Sequence, residues 1–127
     1  MDSFYMNGYL WHVKIVSPYS SKLVDRTGIL RVATTDPVSM NVYLSKQLEG
    51  DLFNTVLIHE LGHCAMVSFG LIDYIHSYVE PEYWIVVEEF ICNFIADYGL
   101  QIFRTAYSLF GDDALRVVPV EIERYIA

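Results

Sequence analysis

The sequence has few basic residues, few cysteines and no long apolar run, and each shortage excludes a class of protein. Eight Lys and Arg residues face 16 Asp and Glu residues, and the formal net charge of −8 argues against direct binding to nucleic acid, which needs clustered positive charge. The richest apolar stretch, residues 84–103, contains several acidic and amide side chains, so no membrane span is expected. The N-terminus lacks a basic region followed by an apolar segment, and we therefore expect no signal peptide and a cytoplasmic protein.

The two cysteines, Cys64 and Cys92, lie in apolar helical patterns, and neither has a second cysteine at metal-ligand spacing. We expect two reduced thiols in the core rather than a disulfide or a thiolate zinc site. Apolar residues, in contrast, are plentiful: they make up 54% of the 127 residues, with 10 Tyr and 7 Phe. This composition predicts one folded domain over residues 1–127, and apolar residues over 112–127 suggest a surface for a partner or a homodimer.

The hydrophobic pattern predicts strands first and helices after, which is an α+β fold. Alternating and β-branched residues predict a small antiparallel sheet with strands over these ranges: 9–17, 29–34 and 41–45. Helical periodicity predicts three helices. The metal-binding helix covers 51–69, and a long helix that Gly99 can interrupt covers about 82–110. A C-terminal helix, kinked at Pro119, covers about 113–125. Residues 71–82 are predicted to be a connection with one short helical turn.

One motif carries chemistry, the run His59-Glu60-Leu61-Gly62-His63. A spacing of four residues puts both imidazoles on one face of a helix, where their nitrogens can reach a single zinc ion. Glu60 faces the same cavity without being a ligand, and it can take a proton from water that the ion has made more acidic. Gly62 costs about 1 kcal/mol relative to Ala inside a helix, which a close approach of a neighbouring element would explain.

A catalytic zinc site needs a third protein ligand, and no histidine follows within six residues of His63. The long helix offers Glu89 and, as the runner-up, Glu88, both flanked by apolar residues. We expect Glu89 to be the ligand and Glu88, 100° further round the helix, to face solvent. In the alternative interpretation, both glutamates are solvated or paired with Arg104 or Arg116.

Glu89, Asn93 and Asp97 share one helix face at four-residue steps. We therefore predict that Asn93 or Asp97 orients a metal ligand. His76 and Tyr78, in the connection between the two metal-bearing helices, are candidates for contacts with the oxyanion or the substrate, although packing at the surface also explains them. A separate hypothesis makes the strand over 41–45 an exposed edge that a peptide could join, and in the alternative a loop covers the strand.

The same residues resemble the ImmA/IrrE family of metallopeptidases, which have a His-Glu-x-x-His helix followed by a helix of the form Glu-x-x-Ala-Asn-x-Phe-Ala. The second pattern is matched at Glu89, Asn93 and Ala96, while Cys92 and Ile95 replace its first Ala and its Phe. The resemblance implies a gluzincin-like zinc peptidase from a bacterium, phage or prophage, with Glu89 as the third ligand. It also implies a protein substrate such as a transcriptional regulator.

Two functions therefore follow from the sequence. The first is a zinc-dependent peptidase that uses Glu60 as its general base. The alternative is an acidic, zincin-like binding protein, such as a phage or mobile-element inhibitor of a host nucleic-acid-binding protein, whose metal is structural or vestigial. Glu60 favours the first, because a structural site has no use for a general base beside it.

Overall fold

The computed structural model describes residues 2–117 and has an α+β architecture, with a four-stranded sheet followed by helices. This confirms the fold class predicted from the sequence. The chain divides into two compact units, Met1–Asp97 and Tyr98–Ala127. The sheet and the predicted metal-binding helix both belong to the first unit. That residues 1–127 form one domain stays a prediction.

The sheet has the strand order β1-β2-β4-β3 and consists of β1 (Ser3–Met6), β2 (Tyr9–Val16), β3 (Ala33–Asp36) and β4 (Asn41–Ser45). β1 and β3 are antiparallel to their neighbours, but β2 and β4 are parallel, with Val13 opposite Val42. The sheet is therefore mixed rather than wholly antiparallel as expected. The parallel pair arises because the chain crosses over between β2 and β4 and places β3 beyond β4.

The sequence analysis missed β1, which forms a hairpin with β2 through Asn7 and Gly8. Both turn residues have positive φ, 49° and 82°, the combination required by a two-residue type I′ turn. Asn tolerates this region and Gly adopts it without steric cost. The side chain of Asn7 also donates a hydrogen bond to the backbone oxygen of Ser68, 2.8 Å away, and ties the hairpin to the helical part of the unit.

The hypothesis that the strand over 41–45 is an exposed edge is wrong. β4 lies between β2 and β3, and all five of its residues are buried. The apolar run Val42-Tyr43-Leu44 is typical of a strand covered on both faces. The strand at this side of the sheet is β3, which occupies residues 33–36 rather than the predicted 29–34.

The α-helices are α1 (Gly50–Ser68), α2 (Leu71–Tyr78), α3 (Trp84–Phe94) and α4 (Leu100–Phe110). Shorter turns complete the pattern: 3₁₀ helices Ser21–Leu23, Pro81–Tyr83 and Gly111–Leu115, and a π-helix Ile95–Gly99. The helix predicted over 82–110 is thus divided by a π-helical segment that ends at Gly99, the residue expected to interrupt it. The connection over 71–82 holds two turns of helix rather than one.

A C-terminal helix was predicted over about 113–125. The described part of this segment is the 3₁₀ helix Gly111–Leu115 followed by extended residues up to 117. Residues 118–127, with the predicted kink at Pro119, lie outside the described residues.

The core of the first unit lies between the sheet and α1, and it continues between the helices. Its two clusters of fully or nearly buried residues are Trp11, Ala33, Val42, Leu44, Leu48 and Cys64 on the sheet side, and Met66, Ile75 and Cys92 on the helix side. The indole of Trp11 donates a hydrogen bond of 2.8 Å to the hydroxyl of Ser68 at the end of α1.

Both cysteines are free and buried, as expected. Burial, together with the charge of Glu60, raises the pKa of Cys64 to about 12 and keeps this thiol neutral.

Within residues 2–117, no single helix is both long and apolar enough to cross a membrane, and α1 and α2 meet that test only as a pair bent by 77°. On α3, Val86 and Phe90 are 64% and 69% exposed. Such exposed apolar side chains are compatible with the predicted homodimer, which stays a prediction.

Candidate metal centre

Helix α1 brings His59 and His63 together as their spacing predicts, with 3.1 Å between their Nε2 atoms. Helix α3 supplies Glu89, whose two carboxylate oxygens lie 3.2 Å from Nε2 of His59 and 3.2 Å from Nε2 of His63. The three ligand atoms therefore lie within 4.8 Å of one another, and the group can hold a metal ion. The carboxylate that reaches both histidines is the one we expected from the sequence.

The close approach of α3 to α1 depends on Gly62. A Cβ atom at this position would lie 3.2 Å from Sγ and 3.5 Å from Cα of Cys92 on α3. A Cβ atom alone would be a tight contact with the sulfur of Cys92, and a larger side chain at residue 62 would press against α3, which carries Glu89. This is the packing reason that a glycine inside the metal-binding helix requires.

Glu88 does not face solvent as we expected; it is buried, with 8% of its surface exposed. Its Oε1 lies 2.8 Å from Nδ1 of His63, and its Oε2 accepts a hydrogen bond of 2.9 Å from Arg26. Within the first unit the cation that contacts both glutamates is Arg26, a residue that the alternative interpretation did not consider. Glu88 thus holds the ring nitrogen of His63 that points away from Glu89.

Glu88 and Glu89 contact opposite nitrogens of the His63 ring, and this arrangement shifts the pKa values of all three residues. Burial by itself would lower the pKa of His63, but hydrogen bonds with Cys92, Glu88 and Glu89 outweigh it and raise the pKa to about 12. Hydrogen bonds from His59 and His63 hold the pKa of Glu89 well below its usual range. Burial would raise the pKa of Glu88, yet the hydrogen bonds from His63 and Arg26 keep it below its ordinary value. These shifts favour the charged forms of His63, Glu88 and Glu89, which lie within ion-pairing distance of one another and of Arg26.

Glu60 is also buried, with 6% exposure, and it lines the same cleft as the histidines. Its Oε2 accepts a hydrogen bond of 2.5 Å from the hydroxyl of Thr35 on β3. Thr35 therefore fixes one oxygen of Glu60 and joins the sheet to α1 beside the candidate ligands. The sequence analysis did not identify Thr35, because nothing in a short β-strand marks one threonine as a partner of a helix 25 residues away.

The candidate ligands open into a cleft of about 860 Å³ that lies within the first unit. Asn93 and Asp97 line this cleft. Among residues 2–117, however, the side chains that interact with the ring of His63 are those of His59, Cys92 and the two glutamates, and neither Asn93 nor Asp97 is among them.

The two candidates for oxyanion or substrate contacts lie elsewhere. His76 stacks on Trp84, with ring centroids 3.7 Å apart, and Tyr78 packs against Tyr74 at 4.8 Å. The residues that line the cleft include neither of them. The alternative of packing at the surface accounts for the observed positions of both rings.

In comparisons with known proteins, the sequence matches no protein-family model and no curated protein.

Proposed function

We propose that this chain is a zinc-dependent peptidase of the ImmA/IrrE type that hydrolyses a peptide bond in a regulatory protein in the cytoplasm. The observation that carries the proposal is the convergence of three ligand atoms, from His59, His63 and Glu89, on one side of a cleft that Glu60 also lines. Two imidazoles and a carboxylate are the ligand set of a catalytic zinc site with one position left open. The resemblance of both helices to the ImmA/IrrE patterns supports the same conclusion.

The spacing of the donors supports zinc as the metal. Zinc bonds to nitrogen and oxygen are about 2.0–2.2 Å long, so two ligand atoms of a tetrahedral site lie about 3.3–3.5 Å apart. The two histidine nitrogens lie 3.1 Å apart, and each oxygen of Glu89 lies 3.2 Å from one of them, Oε2 from His59 and Oε1 from His63. With one oxygen of Glu89 as the ligand, the three ligand atoms lie within 4.8 Å of one another, so modest movements of the side chains would bring them to the expected separation. Larger ions with six to eight oxygen ligands fit this nitrogen-rich set less well.

The proposed mechanism divides its tasks among residues that already lie in the cleft. A zinc ion held by the three ligands would polarise the scissile carbonyl and lower the pKa of water to about 7. Glu60 accepts the proton of the attacking water on its carboxylate and passes it to the leaving amine. Thr35, bonded to Oε2 of Glu60, keeps the carboxylate in place during both transfers. Glu88 holds Nδ1 of His63, so that Nε2 presents its lone pair to the ion.

The position of β3 supports a peptide as the substrate. β3 is the edge strand of the sheet on this side, and Ala33–Asp36 lines the cleft along its whole length. An extended peptide can add to such an edge through backbone hydrogen bonds, which would lay it beside α1 and its histidines. We therefore propose that a substrate peptide pairs with the edge strand β3, and not with the central strand β4 that the sequence suggested.

The net charge of −8 favours a second candidate, an acidic protein that binds the basic surface of a host nucleic-acid-binding protein and keeps its metal only for structure. In that case Glu60 would be dispensable. The two candidates therefore differ in the effect of a Glu60→Gln variant, which changes the charge of the general base and almost nothing of its shape.

The test combines metal content with hydrolysis of a fluorescently labelled, unfolded protein. Purified wild type, His59→Ala, Glu89→Ala and Glu60→Gln are analysed for zinc, with Glu82→Gln as a control, because Glu82 is exposed and outside the cleft. We expect one zinc per chain in wild type, Glu60→Gln and Glu82→Gln, and little in the two ligand variants. Hydrolysis should be lost in Glu60→Gln alone among the zinc-loaded proteins. A wild type that stays free of zinc with the metal in excess would refute the proposal.

A further inference from the structure

Arg26 contacts both glutamates of α3, from a part of the chain that precedes the metal-binding helix. Its Nη1 donates to Oε2 of Glu88 at 2.9 Å, and its Nη2 lies 3.4 Å from Oε1 of Glu89. The shorter contact goes to Glu88, whose other oxygen lies 2.8 Å from Nδ1 of His63. Both oxygens of Glu88 are therefore engaged, and a chain of contacts leads from Arg26 through Glu88 to a candidate metal ligand.

The loop that carries Arg26 is itself ordered by its neighbour Asp25. One oxygen of Asp25 accepts hydrogen bonds from the backbone and the hydroxyl of Thr27 and from the backbone of Ile29, at 2.6–3.0 Å. The other oxygen accepts a hydrogen bond of 2.8 Å from Arg31. This turn fixes the backbone on either side of Arg26, so the guanidinium enters the cleft from a rigid support rather than from a loose loop.

We propose that Arg26 is a positioning residue, which acts through Glu88 to orient His63 for metal binding. The proposal rests on the zinc site proposed above and adds to it a residue outside both sequence motifs. Glu88 is buried and on the far side of the imidazole from Glu89, so Arg26 is the group that can stop its carboxylate from rotating away from Nδ1. Partners of this kind set the orientation of a histidine ligand and typically change metal affinity by about 10–100-fold when removed.

The chemistry of the guanidinium suits this task better than an ammonium would. Its planar fork can bond to Glu88 through one nitrogen and lie near Glu89 through another, as the observed distances require. A lysine at the same position carries the charge but offers a single nitrogen. We therefore expect Arg26→Lys to keep only part of the zinc affinity that Arg26→Gln loses.

The experiment measures zinc affinity, by titration of zinc chloride against a chromophoric chelator, in wild type, Arg26→Gln, Arg26→Lys and Lys22→Ala. Lys22 is the matched control, because it also lines the cleft but lies 5.7 Å above the ring of Tyr43 rather than on a glutamate. We expect Arg26→Gln to bind zinc about tenfold more weakly, Arg26→Lys to fall between it and wild type, and Lys22→Ala to stay within about twofold of wild type. The side chain of Arg26 is 45% exposed, and circular dichroism of each variant verifies that the fold is retained.

A double-mutant cycle with Glu88→Gln tests whether Arg26 acts through Glu88. If it does, adding Arg26→Gln to Glu88→Gln lowers the affinity by no more than about twofold further. An additional tenfold loss would overturn the proposal, and so would equal affinities of Arg26→Gln and Lys22→Ala. Tighter zinc binding by Arg26→Gln would also overturn it, because Arg26 would then compete with the metal for Glu89.

The two proposals fail in different ways. A wild type that does not bind zinc at all ends both of them. A wild type that binds zinc and loses it in Glu89→Gln, while Arg26→Gln binds as tightly as wild type, ends only the proposal about Arg26.

Discussion

In the metal-free protein, the free energy of unfolding should fall as the pH rises from about 7.0 to about 8.5, because folded His63 keeps a proton that unfolded His63 has lost. The pKa of His63 is raised from 6.5 in the unfolded chain to about 12 in the fold. A raised pKa contributes stability that is complete below the unfolded value and disappears as the pH climbs toward the folded value. The whole interval between these two pH values lies inside that window.

The magnitude follows from the number of protons involved. Between the two pKa values the folded state holds one more proton than the unfolded state, which corresponds to about 1.4 kcal/mol per pH unit. Over 1.5 pH units the loss of the His63 contribution should therefore lower the free energy of unfolding by about 2 kcal/mol. Solvent screens the contact of His63 with Glu88 little, since these side chains are 10% and 11% exposed, and it screens the contact with Glu89 more, because that side chain is 39% exposed.

Urea unfolding in the presence of a chelator, followed by tryptophan fluorescence, measures this slope. His63→Gln is the reference, because it removes the titrating ring and leaves every other ionisable group in place. The wild type should lose about 2 kcal/mol more than His63→Gln between the two pH values. Equal slopes for the two proteins would mean that His63 is not held between Glu88 and Glu89 in solution, and the description of the metal-free site would be wrong.

Three further predictions concern the same unit. Ser68→Ala leaves the buried indole of Trp11 without its acceptor and should lower the free energy of unfolding by about 1–3 kcal/mol in a urea titration. Gly62→Val inserts methyl groups against Cys92 and should cost about 1–3 kcal/mol in the same assay, with part of the loss recovered when Cys92→Ala is added. Zinc at about 100 times its Kd should raise the free energy of unfolding of the wild type by about 2.7 kcal/mol and leave Glu89→Gln unchanged.

Each of these three predictions can be checked against a control variant or an outcome that would contradict it. Ser108→Ala on α4, where the serine is exposed, should change stability by less than about 0.5 kcal/mol. Gly62→Val that is as stable as wild type would show that α1 and α3 do not pack as closely as the distance to Cys92 requires. Equal stabilisation of wild type and Glu89→Gln by zinc would place the ion elsewhere on the chain.

The candidate ligands were predictable because each depends on the period of the helix that carries it. A spacing of four residues fixes the relation between His59 and His63 whatever the rest of the chain does, and the apolar surroundings of Glu89 indicate a helix that packs inward. The same reasoning gave β4 and α1 to within a residue or so. The sequence pattern was sufficient to predict features that depend only on residues close together in the chain.

The errors occurred where the outcome depends on distant parts of the chain. Glu88 was expected in solvent because its helical position differs from that of Glu89, but Arg26 comes from 62 residues away and pairs with it in the interior. The hypothesis that β4 is an exposed edge was open because neither the parallel pairing with β2 nor the position of β3 is encoded in its five residues. β1 was different: the Asn7-Gly8 turn is a local hairpin signal, and it was overlooked.

The adjacency of Glu88 and Glu89 explains why a single helix can serve both sides of one imidazole. Successive residues on a helix point 100° apart, so a ring that lies against α3 can meet one carboxylate at Nδ1 and the next at Nε2. This works only if the two helices are close enough for the ring to lie between the carboxylates, which is the distance that Gly62 permits against Cys92. A glycine in one helix, two neighbouring acids in the other and an arginine from a rigid turn are thus parts of one arrangement. Changing any of them should alter how His63 presents Nε2 to a metal, although, of these residues, Glu89 alone is one of the candidate ligands.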